Sequence, residues 1–146
     1  MKALDVAKYI INKCIEKDKY ISNLQLQKIM YFVHLEFLRE TYRKLIDDES
    51  FEARECGPIM KSVYNKFGIY GGFTIDDIQE CHIELKPEEE KSIDKILNEY
   101  IKLKPWELVQ RSQNPNGAWK KVYKNGEGDK RVISDELIEK EAGLRE

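Results

Sequence analysis

The chain has 146 residues, 41% apolar and 36% charged, with a net charge of −2 and a pI near 5.8. That length suits one globular domain with a genuine core, and so balanced a charge exerts no overall pull toward nucleic acid. No apolar run approaches the roughly 18 residues a bilayer span requires, and Met1-Lys2-Ala3-Leu4-Asp5 lacks the apolar stretch of a signal peptide, so the expected location is the cytoplasm, away from membranes.

Apolar residues recur at Ala3, Ala7, Ile10 and Cys14, flanked by Val6, Ile11 and Ile15. This is helical spacing, and Asp18-Lys19 ends it. The next helix carries the strongest local signal in the chain. Ser22 with Gln25 makes a capping box, and Ile21 with Leu26 makes a hydrophobic staple. From about 22 to 43 the apolar residues fall in two stripes, Leu26, Ile29, Met30, Val33 and Phe37 on one side and Leu24, Tyr31, Leu35, Leu38 and Tyr42 on the other. A helix apolar on two faces is packed from two sides, so this one is expected at the centre. Gln27 and His34 share the narrow polar strip between the stripes. Each reads either as a satisfied core side chain or as a ligand or partner contact.

After Arg43 the periodicity changes. Leu45-Ile46 and Phe51 to Arg54 look like two short extended pieces around the polar turn Asp47 to Ser50. Asp47, Asp48 and Glu49 lack calcium-loop spacing, which favours a solvated turn over a metal site. Gly57-Pro58 predicts the start of a helix carrying Ile59, Val63, Tyr64 and Phe67, with proline at its first position and glycines 68, 71 and 72 at its end. Ile83 and Leu85 make too short a run to assign. Pro87 followed by three glutamates opens another helix, with Ile93, Ile96, Leu97, Tyr100 and Ile101 on its core face. A short helix is predicted over Pro105 to Arg111, carrying Trp106 and Val109, then a loop over Gln113 to Gly117. Trp119, Val122 and Tyr123, the turn-like Asn125 to Gly128, and Val132-Ile133 suggest a small hairpin, and Ser134 caps a final helix over Asp135 to Gly143. With no repeat, linker or low-complexity tract, residues 1–146 read as one domain, α+β and predominantly helical.

Chemistry is harder to find. Cys14, Cys56 and Cys81 are odd in number and far apart, and two histidines, His34 and His82, do not complete a zinc set. Reduced, unpaired thiols are therefore expected. No phosphate loop, dinucleotide fingerprint, zincin or nucleophile-elbow motif is present, and the adjacent Cys81 and His82 point apart. No catalytic, cofactor-binding or metal-ligating residue is assigned, and the chain is expected not to be an enzyme. The segment Trp119 to Lys124, with Lys130 and Arg131, interleaves aromatic and basic residues. It reads as a hairpin with a solvated lysine face, as an aromatic patch at a protein interface, or as a single-strand nucleic-acid surface. Trp119, Tyr123 and Arg131 are its candidate partner contacts.

The order of these landmarks resembles the Panacea, or SocA-like antitoxin, domain of bacteria and their phages. Leu24 to Phe32 (LQLQKIMYF) resembles the family's L-x-L-Q-K-L-L-Y-F, with Gln27, Lys28 and His34 as its semi-buried polar residues. Phe51-Glu52-Ala53, Gly57-Pro58-Ile59 and Val63-Tyr64 follow in the family's order. Trp106 to Gln113 with Trp119 is similar to its L-x-x-L-(S/T)-H…W region, and Ile133-Ser134 with the last helix is similar to its I-S…E-L-I close. The family's histidine falls at Ser112 or Gln113 here. The resemblance implies a helical antitoxin without a cofactor that neutralises a protein toxin, encoded next to it, by direct contact. It also admits delivery of that toxin to a Clp-type protease, or, in phage members, inhibition of a host protein.

Overall fold

The computed structural model describes residues 1–146, and its longest helix is the one that begins behind Ser22. Helix α1 spans Ala3–Glu16 and α2 spans Asn23–Thr41. The Ser22 hydroxyl accepts the Gln25 N–H at 3.2 Å, and the Gln25 side-chain oxygen accepts the Ser22 N–H at 2.9 Å. The capping box is thus complete, satisfying two donors that the first turn would leave orphaned. The helix stops slightly before the predicted Arg43, because Tyr42 turns left-handed at φ 60°. Both stripes are buried along the body of α2, and only their ends, Leu24 and Tyr42, reach solvent.

The other helices pack around this axis. Helix α3 (Lys61–Lys66) runs into a 3-10 turn at Phe67–Tyr70, followed by α4 (Pro87–Ile101), α5 (Pro105–Ser112), α6 (Ala118–Tyr123) and α7 (Asp135–Glu141). The α4 face is the predicted one, with Ile93, Ile96, Leu97 and Tyr100 buried and Tyr100 stacked on Phe32 of α2 at 4.9 Å. Between the 3-10 turn and α4 the chain is irregular. It is anchored by Ile75 in the core and by Asn12, whose amide brackets Gln79 through both of its backbone groups at 2.9 and 2.7 Å.

Three sequence expectations need correction. First, Gly57-Pro58 does not open a helix. It lies in β2 (Gly57–Ile59), antiparallel to β1 (Glu52–Arg54), with Ala53 opposite Pro58. Ala53 spends its N–H on Arg131 and its carbonyl on Lys130, so the missing N–H of Pro58 costs no ladder bond. Helix α3 starts only at Lys61. Second, the earlier extended piece, Leu45-Ile46, is buried chain without strand pairing. Third, residues 119–133 are not a hairpin. Trp119, Val122 and Tyr123 have i, i+3, i+4 spacing and form one side of α6, while residues 130–133 lie along β1 through the Lys130, Arg131 and Ile133 backbone groups. Gly128 permits this closure: a Cβ there would sit 1.7 Å from the Val122 carbonyl.

Candidate partner-binding site

The polar residues of α2 have distinct tasks. Gln27 is fully buried; its oxygen accepts the Met60 N–H at 2.9 Å and its amide donates to Asn23 Oδ1 at 3.1 Å. Asn23 in turn donates to the Tyr64 carbonyl at 2.9 Å. The pair therefore fastens β2 and α3 to the start of α2, and an unpaired buried amide would be costly. His34 is likewise internal. Its Nδ1 accepts the Ile46 N–H at 3.2 Å, its ring meets Phe51 edge-on, and burial pushes its pKa down to about 4. Both are scaffold.

Lys28 is different. It is 3% exposed, yet its ammonium meets only the Cys56 carbonyl and, at 3.4 Å, the Ser112 hydroxyl. Ser112 gives its own proton to the Val109 carbonyl at 2.8 Å. One N–H of the ammonium form is left without a protein acceptor, no carboxylate pairs with the amine, and burial lowers the Lys28 pKa. The loop before β2 is shaped to this amine. Gly57 has φ +120°, and a Cβ on it would come within 3.2 Å of Lys28 Nζ and 3.3 Å of Ser112 Oγ, so glycine is needed both for the turn and for the approach. Of the two positions in register with the family histidine, Ser112 is the one turned inward; Gln113 is exposed.

Lys28 also lines a groove of about 210 Å³ between the start of α2, the Gly72–Thr74 stretch and α5, whose walls include Leu24, Pro105 and Val109. Large apolar side chains stand exposed beside it in sequence: Phe73, 82% exposed, and Trp106, 58% exposed. Sequence reading assigned Trp106 and Val109 to a helix, which they occupy, but α5 buries Leu108 instead and turns both of them outward. A larger cleft of about 440 Å³ is lined by Glu36, Arg39, Arg111 and Glu141. There Arg39 is already committed to Glu36 and to the carbonyls of Glu141 and Ala142.

The structure separates the three residues singled out from the aromatic–basic segment. Trp119 is a core side chain, 6% exposed, with its indole N–H donated to the Arg54 carbonyl at 2.7 Å and Tyr123 stacked on it at 5.1 Å. Tyr123 is half-buried and Arg131 is exposed. The expectation that Trp119 lies open is corrected: a helical face, not a hairpin face, points it inward. The acidic turn disperses as well. Asp47 pairs with the N-terminal amine at 3.2 Å, Asp48 accepts the Ala3 N–H at 2.9 Å, and Glu49 accepts the Ser62 hydroxyl. No three His, Cys, Asp or Glu side chains converge as a metal set, and no helix is long and apolar enough to cross a membrane.

The family model for the antitoxin SocA-like, Panacea domain matches residues 26–120, more than half of the chain. The chain belongs to this family. No curated protein and no solved structure matches it. The Panacea match contains Gln27, Lys28, His34, the Gly57-Pro58-Ile59 strand, Ser112 and Trp119, and it ends before Tyr123, Arg131 and α7. Every residue that holds the Lys28 ammonium thus falls within the Panacea segment.

Proposed function

We propose that the chain is the antitoxin of a toxin–antitoxin pair and neutralises a protein toxin by direct contact in the cytoplasm. The Panacea match over residues 26–120 is the observation that carries this reading. The disposition of side chains supports contact over catalysis: Gln27 and His34 are occupied by backbone groups, while Leu24, Phe73, Trp106 and Val109 stand open. Leu24 and Val109 line a groove with Pro105, and exposed apolar surface of this kind marks interaction sites. A standard interface buries roughly 800 Å² per partner and depends on a few aromatic or arginine anchors.

The test is co-expression with the protein encoded beside this chain. Induction of that neighbour alone should arrest growth, and this chain should restore it and co-purify with the neighbour at a fixed ratio. Arrest that persists with the chain abundant and folded, and no complex on size exclusion, would remove the antitoxin reading.

A further inference from the structure

Lys28 is 3% exposed, its amine is bonded to the Cys56 carbonyl and the Ser112 hydroxyl with no carboxylate beside it, and the residue is one of those that line the groove between the start of α2 and α5. A buried amine without a counter-ion is retained at a cost, and this one belongs to a residue that borders a groove. The geometry points to the groove between the start of α2 and α5 as the toxin's docking site, where the toxin inserts an aspartate or glutamate side chain against Lys28. This rests on the antitoxin reading and deepens it by naming the surface and the recognised chemistry. Charge complementarity selects the acid: the Lys28 amine keeps one N–H beyond those spent on Cys56 and Ser112. The walls select its setting. Leu24, Pro105 and Val109 line the groove, and Phe73 and Trp106 stand exposed next to its lining residues. An acidic side chain flanked by apolar ones fits such a surface, whereas a nucleic-acid phosphate would leave those walls unmatched.

Three variants of this chain test the site against the neighbouring toxin, with affinity measured by calorimetry or surface plasmon resonance. Lys28→Met keeps the length of the buried side chain and should still unfold in one cooperative thermal transition, yet weaken toxin binding at least tenfold. Val109→Glu and Leu24→Glu change exposed positions and should fold as the wild type does, while weakening binding by a similar factor through an acid placed on the rim. Replacing each surface aspartate and glutamate of the toxin by its amide should then reveal one position whose effect vanishes in the Lys28→Met background, the signature of a direct pair in a double-mutant cycle. If all three variants bind within twofold of wild type, the groove is not the interface, even though wild-type rescue leaves the antitoxin reading standing. If the groove variants weaken binding but every toxin carboxylate is additive with Lys28→Met, the inserted acid is wrong. If the wild type neither rescues nor binds, the antitoxin reading fails first and the docking site falls with it.

Discussion

Two residues of α2 with similar burial have different consequences for stability. Gln27 connects through hydrogen bonds, so Gln27→Leu strands the Met60 N–H and Asn23 Oδ1. The expected loss is about 1–3 kcal/mol for each buried group left unpaired, read as a lower urea midpoint, with toxin binding retained by the folded fraction. A variant of unchanged stability that no longer binds would move Gln27 from scaffold to interface. His34 acts through protonation. Burial is the main cause of its lowered pKa, about 4 against an ordinary 6.5, with Lys44 adding to it. Between these values the unfolded chain holds a proton that the native chain excludes, so stability is fully present above pH 6.5 and declines as the pH falls toward 4. The gap corresponds to on the order of 3 kcal/mol. Stability measured from pH 7 to 4 should therefore fall more steeply in wild type than in His34→Gln. Parallel curves would show that the imidazole is not excluded from protonation in the folded state.

Among the elements, α2 carries the packing, and one carboxylate of α7 reaches two of its neighbours. Ile29 and Phe37 are fully enclosed on α2, and Ile29→Ala or Phe37→Ala should cost about 2–5 kcal/mol, the range for emptying a packed core site. Midpoints that barely move in both would contradict burial on both faces. Glu141, in the last turn of α7, accepts the Tyr31 hydroxyl at 2.5 Å and the Ala118 N–H at 2.9 Å. It therefore ties α7 to α2 and α6 at once, and it pushes the Tyr31 pKa up beyond what burial does alone. Glu141→Ala should release α7 locally: its amides should lose hydrogen-exchange protection while those in the middle of α2 keep theirs. Equal loss in both helices would mean that the two unfold together.

At the scale of the molecule, one buried apolar cluster extends from Ala3 to Ala142. It includes Ile133, Ile138 and Ala142, which lie beyond the end of the Panacea match at residue 120. The expectation is that residues 1–146 fold as a single cooperative unit. A fragment ending at Lys120 would expose the faces of β1 and α2 covered by residues 130–142 and should lose its cooperative thermal transition. A sharp transition in that fragment would show that the C-terminal segment is an appendage.

Where the deciding contacts were local in sequence, the chain could be read directly. The Ser22–Gln25 box, the two stripes of α2, the α4 face and the Ser134 cap all depend on side chains within a few turns of one another, and all are present. The stripe logic also placed Gln27 and His34 between two packed faces, since polar residues there must be buried with partners. Gly57-Pro58 misled because glycine and proline punctuate helices and strands alike; the choice of strand rests on Ala53, whose backbone groups are taken up by residues 130 and 131. Trp119 misled because the turn-like Asn125 to Gly128 between two apolar runs suggested a hairpin, whereas its indole N–H meets the Arg54 carbonyl, sixty-five residues away. The Lys28 groove is the extreme case. Its lysine stands in the α2 motif, but the carbonyl of Cys56, the hydroxyl of Ser112 and the walls from Leu24 to Val109 come from separate stretches of chain. Only the tertiary structure could decide that this ammonium is buried without a counter-ion, because a charge's environment is set by what folds around it and by what does not.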